Sequence, residues 1–584
     1  MKNMFNGKKI VAGLLCTLMV SSLMTYGFAN DDGIIKEGKE KMKEFSIQKK
    51  SKDIKTLFDN NKDKLVESLS VEMDKVKGDE KLPVIVVFKE DLSMTKSSDD
   101  SVRTLLSENK TKYEFKNIPA VAMELSKDQI SDLSKSDAVE HIEYDEEIIA
   151  FNDTADYWFG TEKARTDFGL DGDRDGNLSS YSKDDVVVAV IDTGIDADHV
   201  DLDGGKVIAW KDYINDKTSP YDDNGHGTHV AGTIAGEGDG NSKYEGVAKG
   251  AALIGLKVLA ANGTGPSSGS AAAVDWCITN KDTYGIDIIS MSLGVPGSSD
   301  GTDATSLAVN KAVENGITVV VAAGNEGPTT YTIGAPAAAS KAITVGNMID
   351  VGEDGFGLAF LSSRGPTADG RMKPDIGAPG TNITSPKTNS GDGYVTYSGT
   401  SMATPFTSGT IALMLDANEN LTPTQIKNII TSTAEDWSEN GQDVDYGHGR
   451  LDGYKAIEEA GGFNGTNIAT PDHMYASEDL AQKGAIDTWE FTVDNTDYPI
   501  SITLIMPDWK RVFWSGKPDF DVYLYDPSGN QVEKSTSSAR QENIGFKPTS
   551  TGTYQIKVYA YSDSGDYFFD LSAGGSNLKL VQDQ

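Results

Sequence analysis

One stretch restricts the fold more than any other: after a single aspartate, residues 185–191 run through six apolar residues without a break. Such a run is typical of a strand that is buried on both faces, as in a parallel sheet covered by helices. Similar, mainly apolar runs recur at residues 285–289, 316–322 and 342–345, with helical stretches between them. The sequence therefore predicts an α/β domain with a parallel sheet, over residues 153–461.

Asp192 follows the first apolar run directly and stands before Thr-Gly. Reactive groups in open α/β sheets lie at the carboxyl ends of strands, so this position suits a catalytic carboxylate. Asp-Thr-Gly is also ordinary turn chemistry, which leaves a purely structural role open.

Of the six histidines, two lie in a glycine-rich loop that gives way to a helix of small residues, at His226 and His229. Two histidines three residues apart could bind a metal, but no nearby glutamate supplies a zinc-type third ligand at helical spacing. A neutral imidazole is suited to removing a proton near pH 7, so His226 is a candidate general base.

A candidate nucleophile lies at Ser401, within Gly-Thr-Ser-Met-Ala-Thr-Pro (residues 399–405), ahead of the apolar run 411–415. A helix that begins near this serine places it at the positive helix end, where backbone N–H groups lack internal partners. Pro405 is then expected to cost little, for the same reason. The alternative is that the serine or its neighbouring threonine merely caps the helix.

The chain thus carries Asp192, His226 and Ser401, in that order. A serine nucleophile needs a base, and the imidazole needs a carboxylate that fixes its tautomer. With these residues and two further motifs, the chain resembles the subtilase family of subtilisin-like serine endopeptidases. One departure from the family pattern is Phe-Thr-Ser after Pro405. The motifs are Asp192-Thr193-Gly194, His226-Gly227-Thr228-His229, Gly399-Thr400-Ser401-Met402-Ala403, Ser290-Met291-Ser292-Leu293-Gly294 and Ala322-Ala323-Gly324-Asn325.

The resemblance implies further roles around the reacting bond. Asn325 would be the side-chain donor of the oxyanion hole, beside the backbone N–H of Ser401. An extended substrate would pair with the strand that holds Ser292, Leu293 and Gly294. The neighbouring primary pocket would be lined by Ala322, Ala323 and Gly324.

The first 150 residues show different sequence patterns. Residues 1–29 have the lysines, the short apolar run and the small residues of a secretory signal, and residues 30–81 form a polar leader. The β-α-β-β-α-β pattern of residues 82–150 predicts a ferredoxin-like domain. By resemblance, it is an inhibitor-type propeptide, and we expect self-cleavage between Tyr144 and Asn152.

Residues 171–177 give the strongest metal signal, because acidic residues alternate and glycine stands sixth. The pattern matches the first half of a calcium loop, although position twelve is Ser182 rather than glutamate. The predicted calcium ligands are Asp171, Asp173, Asp175 and Asn177. An Asp-Gly turn without metal is the alternative. By resemblance, Asp201 would serve a second, weaker calcium site with a loop near residues 237–241.

Beyond a linker at residues 462–473, period-two alternation between turn signals predicts an all-β sandwich or jelly roll over residues 474–584. It is similar to the pre-peptidase C-terminal domains of secreted subtilases. Such a domain could be removed during maturation, bind a surface or add stability.

A formal charge of −36 and a pI near 4.5 argue against a nucleic-acid partner. We expect a secreted, extracellular monomer without membrane anchor or organic cofactor, which acts on protein substrates with broad specificity and is held inactive by its own propeptide. A catalytically silent adhesion protein is the alternative function. A carboxyl protease with a glutamate base is disfavoured by the histidine motif.

Overall fold

The computed structural model describes residues 81–89, 111–114, 120–144, 154–177, 180–507 and 517–583, together with single positions between 73 and 109. The predicted signal, almost all of the polar leader and the expected cleavage region (145–152) lie outside the described residues. The chain divides into two compact units, with the break near residue 150.

The first unit contains a four-stranded antiparallel sheet. Its elements are β1 (Lys81–Phe88), β2 (Thr111–Glu114), β3 (Ala120–Ser126), α1 (Lys127–Leu133) and β4 (Val139–Tyr144). The strand order is β2-β3-β1-β4, and helical residues at 102 and 104–106 precede β2. This order confirms the predicted ferredoxin-like arrangement, because the two central strands are the first and third in the chain.

The second unit begins with an α/β domain whose main sheet has eight strands among the described residues. They are β5 (Val187–Asp192), β6 (Val207–Asp212), β7 (Ala252–Lys257), β8 (Ile286–Met291), β9 (Thr318–Ala322), β10 (Ile343–Ile349), β11 (Gly357–Leu358) and β12 (Ile376–Pro379). The order is β11-β10-β9-β8-β5-β7-β6, with β12 beside β10. Only the β10–β11 pair among these is antiparallel, so the predicted parallel sheet is confirmed.

Helices cover both faces of this sheet, which explains the unbroken apolar runs. Val188 and Val190 of β5 belong to one core cluster, while Ala189 and Ile191 belong to the other. The helices and a small hairpin are α2 (Ala155–Trp158), α3 (Thr161–Phe168), α4 (His226–Ala235), α5 (Ser267–Tyr284), α6 (Ala304–Glu314), β13 (Ile383–Pro386), β14 (Tyr394–Tyr397), α7 (Thr400–Ala417), α8 (Pro423–Ser432) and α9 (Gly453–Gly461). The first cluster holds α4 and α7, and the second holds α5 and α6.

The C-terminal part is a β-sandwich, as predicted. Its strands are β15 (Asp472–Leu480), β16 (Ile486–Val493), β17 (Ile500–Ile505), β18 (Asp519–Tyr525), β19 (Gln531–Ser535), β20 (Gln541–Phe546), β21 (Gly552–Ser562), β22 (Gly565–Ala573) and β23 (Gly575–Asp583). One sheet has the order β15-β22-β17-β20, and the other has the order β19-β18-β21-β16-β23. The first strand begins at Asp472, two residues inside the stretch predicted to be linker.

The sandwich shares a hydrophobic core with the α/β domain. Ile505 and Phe568, from the four-stranded sheet, belong to the cluster that contains Trp437 and Phe356 of the α/β domain. A shared core of this kind holds two domains in a fixed relation, unlike a polar contact. Among the described helices, none is both long and apolar enough to cross a membrane.

Candidate active site and metal site

Asp192 and His226 form a hydrogen-bonded pair at the carboxyl end of β5. Nδ1 of His226 lies 2.8 Å from Oδ1 of Asp192, whose side chain is 1% exposed. Because an ionised carboxylate can only accept, the proton of this bond belongs to Nδ1, and Nε2 of the neutral ring is an acceptor. The N–H of Thr193 donates to the same carboxylate oxygen over 2.7 Å, which fixes the carboxylate.

The start of α4 is anchored by Asp222, a residue that the sequence did not single out. Its Oδ2 accepts the N–H of Thr228 over 2.9 Å, and its Oδ1 accepts the hydroxyl of Thr193 over 3.0 Å. This carboxylate therefore satisfies a free N–H of the first helical turn and ties that turn to the residue after Asp192. Gly227 allows the close approach, since a Cβ there would lie 2.1 Å from the carbonyl oxygen of Gly194.

Ser401 is the second residue of α7, as predicted, but the expected reason for tolerating Pro405 is wrong. Pro405 is the sixth residue of this helix, so its missing N–H would have bonded the carbonyl of Ser401. That carbonyl instead accepts the hydroxyl of Ser292 over 2.8 Å. In return, Oγ of Ser401 donates to the carbonyl of Ser292 over 3.1 Å.

Asn325 lies just beyond the end of β9, beside the start of α7. Its Oδ1 accepts both the backbone N–H of Thr400, over 3.0 Å, and the Thr400 hydroxyl, over 3.2 Å. These bonds fix which side-chain atom is oxygen and which is nitrogen. The Nδ2 amide is consequently a donor of defined orientation.

The residues predicted to bind substrate lie just after β8 and at or just after the end of β9. Ser292 follows the last residue of β8 and exchanges two hydrogen bonds with Ser401. Gly294, two residues further on, is exposed. Ala322 and Ala323 are buried at the end of β9. Gly324, with φ near +108°, has no room for a side chain, because a Cβ would lie 2.8 Å from Oγ of Ser363.

His229 does not join His226. It is fully buried and its Nε2 lies 2.9 Å from the carbonyl oxygen of Ile383. Burial lowers the pKa of His229 to about 3, so its ring is neutral at ordinary pH. This histidine fastens α4 to the β13–β14 hairpin, and the geometry gives no support to a two-histidine metal site.

The acidic loop 171–177 precedes β5, at the opposite end of that strand from Asp192. Carboxylate oxygens of Asp173, Asp175 and Asp185 lie within 4.8 Å of one another. In the described part of the chain, Oδ2 of Asp173 and Oδ1 of Asp185 are buried and have no hydrogen-bond partner. Burial, followed by repulsion from Asp175 and Asp173, raises the pKa of Asp185 to about 6. Three carboxylates, two of which carry a buried oxygen without a hydrogen-bond partner, fit a calcium ion.

Asp185 was not among the predicted ligands, and the other predicted ones are placed differently. Oδ1 of Asp171 accepts the N–H of Asp173 over 3.0 Å, and Nδ2 of Asn177 donates to Oγ of Ser180 over 2.6 Å. Asp201 is fully buried and does contact the expected loop. Its oxygens accept the N–H of Gly240 over 3.0 Å and the hydroxyl of Tyr394 over 2.8 Å.

Three family models match the N-terminal, central and C-terminal parts of the chain. Residues 183–449 match the subtilase family, residues 60–129 match the Tk-SP N-propeptide domain, and residues 485–560 match the bacterial pre-peptidase C-terminal domain. The propeptide match begins within residues 30–81, the stretch predicted to be a polar leader.

Individual relatives cover the same central region. Serine protease AprX of Bacillus subtilis is 43% identical over 294 residues, which are 47% of this chain and 66% of the relative. Subtilisin E of Bacillus subtilis is 35% identical over 355 residues, which are 60% of this chain and 84% of the relative. A subtilisin of Bacillus pumilus is 40% identical over 257 residues, which are 44% of this chain and 85% of the relative. The chain therefore belongs to the subtilase family and is a subtilisin-like serine endopeptidase with an N-propeptide domain and a pre-peptidase-type C-terminal domain.

Proposed function

We propose that this protein is secreted as a zymogen, removes its own propeptide and then hydrolyses peptide bonds with broad specificity. The observation that carries the proposal is the 2.8 Å bond between Nδ1 of His226 and Oδ1 of Asp192. A carboxylate at Nδ1 holds the tautomer in which Nε2 can take a proton, and it stabilises the imidazolium that forms.

In this mechanism Oγ of Ser401 attacks the carbonyl carbon of the scissile bond while Nε2 of His226 takes the hydroxyl proton. The same proton passes to the leaving amine as the C–N bond breaks, which leaves an acyl-enzyme on Ser401. Water then attacks the ester with His226 as base again, and the acid product leaves. Because the hydroxyl of Ser401 donates to Ser292 in the resting structure, a rotation of this hydroxyl precedes attack.

Negative charge develops on the carbonyl oxygen during both steps. The Nδ2 amide of Asn325 and the backbone N–H of Ser401 are the donors we assign to this oxyanion. Donors that are fixed before the reaction stabilise the transition state without reorganisation. The two bonds from Thr400 to Asn325 supply that rigidity.

Substrate recognition through backbone pairing accounts for broad specificity. An extended peptide that adds to the strand at Ser292, Leu293 and Gly294 is held by main-chain hydrogen bonds, which tolerate many sequences. Ala322, Ala323 and Gly324 would leave space for a large apolar side chain in the neighbouring pocket.

The match to an N-propeptide domain supports an intramolecular inhibitor. The lysines and apolar run at residues 1–29 support export. We propose that the propeptide blocks the cleft until a bond between Tyr144 and Asn152 is cut.

Calcium is the cofactor that the acidic loop fits. Asp173, Asp175 and Asp185 would hold the ion, with Asp171 and Asn177 beside them, and its charge would offset the repulsion among the carboxylates. Its role would be structural, since the loop lies at the other end of β5 from Asp192. A second ion at Asp201 would have to displace the hydrogen bonds from Gly240 and Tyr394.

The decisive variant is Ser401→Ala in the full-length chain. It should hydrolyse no casein and should accumulate as uncut precursor, and a sulfonyl fluoride should label the wild type at residue 401 alone. Ser408→Ala is the matched control, since Ser408 lies on the same helix and bonds Ser290 and Thr404. A precursor that still matures after Ser401→Ala would refute the proposal, and an unlabelled, inert wild type would favour the adhesion alternative.

A further inference from the structure

A buried arginine of the β-sandwich reaches into the α/β domain. Arg540, just before β20, is 2% exposed. Its two terminal nitrogens lie 2.6 and 2.9 Å from the two carboxylate oxygens of Asp445. Such a bidentate pair fixes both distance and orientation, so the guanidinium is held in one place.

The same guanidinium extends toward the active site. Nη1 of Arg540 also donates to the carbonyl oxygen of Pro328 over 3.1 Å. Pro328 lies three residues after Asn325, in the turn that follows β9. The sandwich therefore contacts directly the loop 324–328, which carries the proposed oxyanion donor.

A second segment, residues 361–364, supports that loop along its length. The N–H of Gly327 donates to the carbonyl of Leu361 over 2.9 Å, and the N–H of Glu326 donates to Oγ of Ser363 over 3.1 Å. The N–H of Ser363 donates back to the carbonyl of Gly324 over 2.8 Å. Any movement of residues 361–364 would therefore move the loop as well.

The supporting segment is also fastened to the sandwich. Arg364 is fully buried, and its guanidinium donates to Oε1 of Gln541 in β20 over 2.7 Å. Nε of Arg364 lies 3.3 Å from Oδ1 of Asp445, the partner of Arg540. Burial alone would raise the pKa of Asp445, but the charges of Arg540 and Arg364 hold it below its usual value. The two buried guanidinium groups therefore stabilise the ionised form of Asp445.

We infer that Arg540 is a positioning residue for the hydrolytic reaction: through Pro328 and Asp445 it holds the loop 324–328 so that Asn325 faces the oxyanion. This inference rests on the proposed function of Asn325. The sandwich then contributes to the geometry of the active site, and full activity requires that it stay in place. A small displacement of a catalytic donor lowers the reaction rate markedly. Loss of the Arg540 contacts should therefore lower kcat even though Arg540 does not touch the substrate.

The test compares full-length Arg540→Met and Arg540→Lys with the wild type, with kcat expressed per site titrated by a sulfonyl fluoride. Methionine removes every donor, while lysine keeps a charge for Asp445 but cannot also supply the fixed fork. We expect kcat to fall about tenfold for methionine and less for lysine, short of the about 10²–10³ associated with losing the donor itself. KM for a peptide anilide should change by less than about twofold, because the substitution does not alter the substrate-binding strand at residues 292–294.

Asp570→Asn is the matched control for a merely structural effect. Oδ1 of Asp570 accepts the N–H of Ser438 over 2.8 Å and lies 2.8 Å from Nε2 of His473, in the same buried region. This variant should lower the melting temperature and leave kcat unchanged. The acid limb of the pH profile of kcat/KM reports protonation of His226. In the Arg540 variants this limb should keep its midpoint pH, while the maximal value of kcat/KM falls.

Hydrogen exchange followed by mass spectrometry gives a readout that does not depend on activity. Peptides that cover residues 324–332 should exchange faster in Arg540→Met and Arg540→Lys than in Asp570→Asn. Unchanged exchange in those peptides, or wild-type kcat in Arg540 variants as destabilised as Asp570→Asn, would overturn the inference. An inactive wild type with normal protection of this loop would instead refute the proposed function, so the two failures are distinguishable.

Discussion

The backbone N–H of Thr400 and its hydroxyl both donate to Oδ1 of Asn325, over 3.0 and 3.2 Å. The residue that precedes the proposed nucleophile thus orients the side chain proposed to bind the oxyanion. Both contacts use the oxygen of the amide, so the nitrogen is the atom left to serve the reaction. The start of α7 therefore supplies Ser401, its backbone N–H and the orientation of Asn325.

Asn325→Asp should separate the two functions of this amide. Aspartate has the same shape and still accepts from Thr400, but it offers no donor and brings a negative charge next to the oxyanion. The loss known for one such donor in a subtilisin, about 10²–10³ in kcat, sets the expected minimum. Active-site-titrated kinetics with a peptide anilide would measure it, and KM should change little.

Thr400→Val is the matched control for that experiment. It removes the hydroxyl contact of 3.2 Å, together with the acceptor of the Gly324 N–H over 3.2 Å, and keeps the backbone contact of 3.0 Å. We expect a loss of a few-fold in kcat, because one of the two orienting bonds survives. A loss as large as that of Asn325→Asp would mean that orientation, rather than donation, is the role of this amide.

The parts of this site that the sequence revealed are those carried by short, local patterns. The apolar run before Asp192 predicted a strand buried on both faces, and Asp192 is in fact its last residue. The glycine-rich stretch at His226 and the small residues at Ser401 each predicted a helix start, and both helices begin within one residue of the predicted position. Local propensity and periodicity are enough for such features.

The parts that it missed depend on contacts between distant segments. Asp185 joins Asp173 and Asp175 only because the loop folds back over the start of β5. Arg540 pairs with Asp445, 95 residues away, across two domains. Neither residue stands in a recognisable motif, and a buried charge partner cannot be identified before the fold brings the segments together.

Ser292 compensates for Pro405, and a double-mutant cycle should reveal this. Ser292→Ala leaves the carbonyl of Ser401 without its 2.8 Å partner and should cost about 1–3 kcal/mol of stability. In a Pro405→Ala background the helix N–H returns, so the same change should cost less. Both would be measured by thermal unfolding in Ser401→Ala chains, which cannot digest themselves. Equal costs in the two backgrounds would show that the serine does not replace the missing helical bond.

Calcium should stabilise the protein through the acidic loop. A ligand present at about 100 times its Kd contributes about 2.7 kcal/mol, so a chelator should lower the melting temperature of Ser401→Ala precursor by several degrees. Asp185→Asn should remove most of this difference and raise the melting temperature of the calcium-free protein, because repulsion within the cluster is relieved. Asp184→Asn, an adjacent exposed carboxylate, should do neither. Elemental analysis without calcium, together with a chelator-independent melting temperature, would remove the site.

A buried glutamate of the sandwich should make stability depend on pH. Glu542 is 1% exposed, and burial raises its pKa to about 7 despite hydrogen bonds from Ser535 and Ser537. Because the folded pKa exceeds the unfolded value, the folded state holds more protons between about pH 4.5 and 7, and stability falls as the pH rises through this window.

Glu542→Gln keeps the shape and cannot ionise, so it should stabilise the protein at pH 8 and have little effect at pH 4.5. The shift corresponds to a gain of about 1–3 kcal/mol at the higher pH. Thermal unfolding of Ser401→Ala chains across this range would measure the difference, with the exposed Glu478→Gln as control. A stabilisation that is the same at both pH values would show that Glu542 is already ionised in the folded protein at the lower pH, contrary to the effect expected of its burial.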